Sequence, residues 1–184
     1  MRWKNEEFWL ALFTSAIITA IYAFVVYWSR AIPAAGSLFG HLLGILGFIL
    51  MLMTEVLYSI RKRSRRARWG SMENWLKFHI FTGLVGPYMV LLHSSWKFNG
   101  LAGAVTLLTI IIVISGFIGR YIYTRIPRSL TPAEMADPLR AAAVTKARRL
   151  LSTWHAIHIP IGMALFVATF VHIGAALYYA TFLR

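Results

Sequence analysis

Apolar residues run along this chain in five long blocks that are separated by polar connections. The blocks cover residues 8–28, 38–60, 75–96, 101–119 and 150–183. Each is long enough to cross a bilayer as a helix, which takes about 17–25 residues. Helix is the required form because backbone groups in lipid must pair within their own segment. The pattern predicts an all-α integral membrane protein with five transmembrane helices in a single domain over residues 1–184.

The composition agrees with this class and narrows the chemistry. Of the 184 residues, 59% are hydrophobic and only 14% are charged, whereas a soluble domain carries about 25% charged residues. An ordinary water-soluble enzyme is therefore excluded. The chain has no cysteine, which excludes disulfides, cysteine-bound iron–sulfur clusters and covalently attached c-type haem.

Basic residues are distributed unevenly over the connections, and the formal net charge is +13. Sixteen Lys and Arg residues fall on the side of the N-terminus and only three on the other side. By the positive-inside rule the N-terminus is cytoplasmic and the C-terminus lies on the outer side of a cell inner membrane. The run RKRSRRAR at residues 61–68 resembles a nucleic-acid patch, but its place between two spans favours a cytoplasmic loop near anionic lipid. We therefore expect membrane lipid as a partner and no nucleic acid.

Local signals mark several helix ends. A capping box with proline at the first helical position occurs at Thr131–Glu134, and Asp137–Pro138 is a second possible start. We expect a short surface helix there, leading into the fifth span. Tryptophans near the block ends are typical of interfacial anchors: Trp9, Trp28, Trp75, Trp96 and Trp154.

The strongest chemical signal is a set of four histidines. His79 and His93 are fourteen residues apart, and so are His158 and His172. At about 100° per residue, fourteen residues return to within about 40° of the starting direction and rise about 21 Å. Spans three and five run in the same direction, so His79 and His158 share an inner level while His93 and His172 share an outer level. Two imidazoles that face each other across a bundle suit an iron porphyrin with two axial ligands.

Glycines accompany the inner histidines. Gly83 and Gly162 each follow one of them by four residues, on the same helix face one turn further. They can clear space for a flat macrocycle or let two helices approach closely, and the sequence leaves both options open. For four others we favour close helix packing: Gly44, Gly47, Gly116 and Gly119.

Two histidine pairs with this spacing on two parallel helices resemble the di-haem four-helix core of cytochrome b from quinol–cytochrome c oxidoreductases. The placement on spans three and five also resembles the membrane domain of ferric reductases and NADPH oxidases. The resemblance covers residues from about 38 to 183 and implies that spans two to five form a haem-binding four-helix bundle. It implies two non-covalent b-type haems, with His79, His93, His158 and His172 as the iron ligands. Within these 184 residues we expect neither a flavin- or NADPH-binding domain nor the quinone-site motifs of cytochrome b.

Four further residues are candidates for supporting roles. His155 lies three residues before His158 and can bond a haem propionate, line a quinone pocket or replace His158 as ligand. Replacement would break the fourteen-residue spacing to His172. His41 lies near the outer end of span two, and Glu55, fourteen residues later, lies at the inner level. Glu55 can pair with Lys77 or Arg120, or exchange protons with a quinone. Arg120 can neutralise haem propionates or simply anchor the boundary.

These features favour a subunit of a multi-subunit oxidoreductase that moves electrons across the bilayer. We expect it to connect a quinone pool with a partner redox protein. The expected partner is a periplasmic electron-transfer protein on the outer side of the membrane. The alternatives are a self-contained ferric or quinone reductase, and a non-redox membrane anchor whose histidines relay protons.

Overall fold

Five long helices make up the computed structural model of this chain, which describes residues 5–63, 70–124 and 137–182. Over these ranges there is no strand, and the helices are α1 (Glu6–Ser29), α2 (Leu38–Arg63), α3 (Met72–His93), α4 (Gly100–Thr124) and α5 (Pro138–Phe182). All five are long and apolar enough to cross a membrane. The prediction of an all-α membrane protein with five spanning helices is confirmed.

Polar capping moves α3 relative to its predicted position. Ser71 accepts a hydrogen bond from the backbone N–H of Asn74 at 3.2 Å, and Glu73 lies in the first turn. Both features stabilise a helix start, so α3 begins at Met72, three residues before the apolar block. At its other end α3 stops at His93, and Ser95 and Trp96 follow with positive φ. One of the predicted ligands is therefore the last residue of its helix.

The last helix is one continuous element rather than a surface helix followed by a span. It starts at the second of the two predicted positions, where Pro138 is the first helical residue and the Asp137 carboxylate accepts from the N–H of Leu139 at 3.0 Å. The other predicted start, Thr131–Glu134, lies outside the described residues. With 45 residues, α5 is about 68 Å long, more than twice the ~30 Å of the hydrocarbon layer. Its first turns therefore extend beyond the membrane.

The chain divides into two compact units, Met1–Thr106 and Leu107–Arg184. In the first unit α2 and α3 pack along their length around a core that includes Leu43, Val85 and Leu92. Gly47 and Gly86 face each other in this pair, because a Cβ on either would lie 2.9 Å from the carbonyl oxygen of the other. Glycines allow such a close approach of two helices, which confirms the packing role expected for Gly47.

The first helix, which has no place in the resemblance, packs against α3. The Thr19 and Tyr88 hydroxyls form a hydrogen bond, and Lys77 forms an ion pair with Glu6 at 3.7 Å. Large apolar side chains elsewhere on α1 are exposed; Phe13, for example, is 64% accessible. Such surface is what a lipid environment stabilises.

Candidate functional site

In the first unit, both predicted ligands of α3 form hydrogen bonds with backbone carbonyls of α2. The Nδ1 atom of His79 lies 3.1 Å from the carbonyl oxygen of Thr54, and Nδ1 of His93 lies 2.8 Å from that of Gly40. A carbonyl can only accept, so each Nδ1 carries the proton and each Nε2 keeps its lone pair. Each imidazole thus has the tautomer that a metal-binding histidine needs.

The fourteen-residue spacing recurs on α2. Thr54 and Gly40, whose carbonyls accept from the two imidazoles, are fourteen residues apart, like His79 and His93. An equal spacing on the neighbouring helix means that α2 supports both histidines in the same way, once at each level. The same interval separates His41 and Glu55, one residue further along α2.

The surroundings of His79 restrict its imidazole further. The Tyr58 ring lies 4.7 Å from the His79 ring, centroid to centroid. The hydroxyls of Thr54 and Thr82 are 2.6 Å apart, and Thr82 is fully buried. These contacts fix α2 against α3 at the point where His79 reaches the Thr54 carbonyl.

His93, at the C-terminal end of α3, lies against a glycine of α2. A Cβ on Gly44 would lie 2.9 Å from two atoms of the His93 imidazole. Gly44 therefore makes room for a candidate ligand, and is more than a residue that lets two helices approach. By contrast, a Cβ on Gly83 would be at 3.5 Å from the methyl group of Thr54, an ordinary contact. Gly162 is buried, and haem clearance by Gly83 and Gly162 stays a prediction.

In the second unit, side chains rather than backbone support the candidate ligand. Nδ1 of His158 lies 2.9 Å from the Ser115 hydroxyl on α4. Trp154 also reaches Ser115, since its indole N–H donates to the carbonyl oxygen at 2.7 Å and lies 3.1 Å from the hydroxyl. Gly119 provides the space for the indole, because a Cβ there would lie 2.2 Å from two indole carbons.

Trp154 is therefore more than the interfacial anchor that its position in the sequence indicated. Its ring centroid lies 4.6 Å from that of His158 with the planes 30° apart, and 4.7 Å from that of His155. The indole thus contacts both histidines of this turn and is bonded to α4. Gly119, like Gly44, makes room for a ring of a neighbouring helix.

The remaining candidates are placed less specifically. His172 and Arg120 are half-buried. His41 is exposed, and its Nδ1 lies 3.1 Å from the carbonyl oxygen of Ser37, the residue just before α2. Glu55 is half-buried and accepts from the Ser59 hydroxyl at 3.4 Å. Lys77, one of its two candidate partners, instead forms ion pairs with Glu6 and Glu73, both at 3.7 Å.

Sequence reasoning missed four supporting residues: Gly40, Thr54, Ser115 and Trp154. The carbonyl acceptors leave no trace in the sequence beyond their shared spacing. The second unit had a readable signal, because Ser115 and Gly119 are four residues apart on α4, and Trp154 and His158 are four apart on α5. Positions four apart lie on one helix face, so two polar or small positions were available to face two rings.

The separation of these histidines suits a large group that takes one ligand from each helix. It does not suit a single ion that is bound by several side chains. Within the described ranges, no three His, Cys, Asp or Glu residues come together as a metal site. Three imidazoles with their Nδ1 atoms engaged are suited to axial ligation of a macrocycle through Nε2.

Comparison of the chain with protein-family models, with curated proteins and with solved structures found no match.

Proposed function

We propose that this chain is an electron-transfer subunit of the membrane that binds two b-type haems. His79 and His158 would hold one haem toward the cytoplasmic side, and His93 and His172 the other toward the outer side. The ligand pairs follow from the matched spacing in the sequence and from the alternating direction of successive spans.

The observation that carries this proposal is the hydrogen bonding of the imidazoles. Nδ1 of His79, of His93 and of His158 each has an oxygen partner within 3.1 Å on the preceding helix. Histidine ligands of metals are generally oriented in this way, by a partner on the second ring nitrogen. The same arrangement recurs at three of the four predicted ligands.

The protein's contribution is ligation, spacing and local charge, while the bound iron would supply one-electron oxidation and reduction. Histidines fourteen residues apart on a helix are separated by about 21 Å along its axis. That distance covers most of the ~30 Å hydrocarbon layer. Such spacing suits a subunit that connects the two sides of a membrane.

Glu55 and His155 belong to the inner level and can take up or release the protons that accompany quinone chemistry. We infer a quinone site on the cytoplasmic side and a periplasmic redox protein as partner on the other side, in a multi-pass protein of the inner membrane. Quinol-driven haem reduction tests the location in Glu55→Gln and His155→Ala variants that retain both haems. Normal rates in both variants, with loss in His41→Ala, would place the quinone on the outer side.

The direct test of haem binding is purification in mild detergent, followed by spectroscopy and pyridine haemochrome analysis. The wild-type protein is expected to show the sharp Soret and α bands of low-spin bis-histidine haem, at two haems per chain. His93→Ala should lose one haem and keep the other.

His41→Ala is the matched control, since it removes an exposed imidazole from outside the set of four. It should keep both haems. A colourless wild-type protein, or full haem content in both His93→Ala and His172→Ala, would contradict the proposal.

A further inference from the structure

We propose that Ser115 is a positioning residue for His158, and that its hydroxyl orients the imidazole and strengthens it as an iron ligand. This inference rests on the proposed haem function. Ser115 lies on α4, away from the four histidines in sequence, and reaches Nδ1 of His158 at 2.9 Å.

Iron ligation determines the direction of this hydrogen bond. An imidazole that binds through Nε2 keeps its proton on Nδ1, so the Ser115 hydroxyl oxygen accepts. A hydroxyl oxygen has two lone pairs, and the Trp154 indole N–H approaches the same oxygen at 3.1 Å while donating to the Ser115 carbonyl at 2.7 Å. Ser115 thus accepts from both rings, and α4 holds two consecutive turns of α5 through one residue.

Trp154 and Gly119 limit how far His158 can rotate. The indole is tilted by 30° from the imidazole plane with the ring centroids 4.6 Å apart, so it covers one side of the imidazole ring. The indole itself lies so close to Gly119 that a Cβ there would be 2.2 Å from two of its carbons. It therefore cannot move closer to α4 to give the imidazole more room. The imidazole is thus fixed by one hydrogen bond and one ring face.

The expected consequence is electronic as well as geometric. A hydrogen bond accepted from Nδ1–H makes the imidazole more basic, which stabilises the more highly charged ferric iron. Without the Ser115 hydroxyl the ferric form loses more stabilisation than the ferrous form, and the reduction potential rises. His79 and His93 are supported by carbonyls, which side-chain substitution does not remove. The change should therefore be confined to the haem that His158 holds.

The experiment compares Ser115→Ala with Ser115→Thr, which retains the hydroxyl, in the full chain purified in detergent. Haem content and the midpoint potential of each haem are measured by spectroelectrochemistry. Ser115→Ala should keep two haems, raise one potential and leave the other unchanged, and Ser115→Thr should restore the wild-type value. Trp154→Phe keeps a ring against the imidazole but loses the N–H, and should shift the same potential by less.

Each outcome decides the inference separately from the haem proposal. Loss of one haem in Ser115→Ala with recovery in Ser115→Thr also supports positioning through the hydroxyl. Two haems with unchanged potentials in Ser115→Ala overturn the inference and leave the proposed function intact, and so does an equal change in both serine variants, which indicates packing alone. A wild-type protein that binds no haem overturns the proposed function itself.

Discussion

The two units support their histidines by different means. In the first unit, α2 offers backbone carbonyls to His79 and His93, while in the second, α4 offers the side chain of Ser115 to His158. A carbonyl is present whatever residue occupies the position, whereas a hydroxyl depends on serine or threonine. The first arrangement therefore takes its acceptor atoms from the backbone, although a side chain at Gly40 would clash with the Ala34 carbonyl oxygen, and the second is open to adjustment by a single side-chain change.

Glycine also works differently in the two units. Gly44 leaves space directly for the His93 imidazole, whereas Gly119 leaves space for Trp154, which in turn contacts His158. A side chain at Gly44 would disturb a candidate ligand itself. A side chain at Gly119 would disturb it through the indole, and with it the hydrogen bonds of Ser115.

The largest expected effect comes from Gly119→Ala. Its Cβ would overlap a rigid two-ring indole at 2.2 Å, so Trp154 must leave its place and give up the hydrogen bond to Ser115. Overpacking of this kind costs about 1–3 kcal/mol, and we expect the upper end of that range together with loss of one haem. Thermal unfolding in detergent and haem content measure the two effects.

Gly116→Ala is the matched control on the same helix, because nothing lies within 4 Å of a Cβ there. Alanine has the higher helix propensity, so this variant should be at least as stable as the wild type and keep both haems. Equal loss of stability in both variants would show that an added methyl group destabilises α4 at either position. The overlap with the Trp154 indole would then not be the cause of the loss in Gly119→Ala.

Gly44→Ala should have an intermediate effect and should act in the other unit. Its Cβ would lie 2.9 Å from the His93 ring, a contact that a small shift of the imidazole can relieve at about 1 kcal/mol. We expect a lower content of the outer haem and little change in the inner one.

Gly83→Ala sharpens this result. A Cβ on Gly83 would lie 3.5 Å from the Thr54 methyl group, which is an ordinary contact. The apoprotein should therefore tolerate it. Loss of the inner haem in a stable Gly83→Ala protein would indicate that the haem fills that space, which is the clearance role predicted from the sequence. Full haem content would favour helix packing instead.

The parts of this architecture that were predictable depend on periodic and local properties. The five helices follow from the length of the apolar blocks, and the shared face of His79 and His93 follows from the helical repeat. The start of α5 at Pro138 was one of two options, because Asp-Pro is a capping signal. The caps at Ser71 and Asp137 also show why predicted bounds shifted by a few residues, since polar turns outside the apolar block continue the helix.

The contacts between helices were not predictable in the same way. Whether the His93 ring meets Gly44 or another residue depends on the relative register of α2 and α3, which arises from packing around Gly47 and Gly86. The position of Trp154 at the end of an apolar block indicates an interfacial anchor. Its contacts with Ser115 and Gly119 on α4 depend on the packing of two helices and cannot be read from the sequence. Ser115 carried only the four-residue spacing to Gly119 as a signal, and its role is visible only beside His158.

The smallest expected effect comes from Thr54→Val, which tests the comparison from the side of the first unit. The substitution removes the hydroxyl that lies 2.6 Å from Thr82 but keeps the carbonyl that accepts from His79. The same hydroxyl also lies 2.8 Å from the Leu50 carbonyl oxygen. Loss of its hydrogen bonding should lower stability by about 1 kcal/mol, while both haem potentials stay at their wild-type values. The informative measurement is the potential, set beside that of Ser115→Ala in the same detergent. A rise in potential as large as in Ser115→Ala would show that side chains tune both units, and that support by a carbonyl gives the first unit no protection.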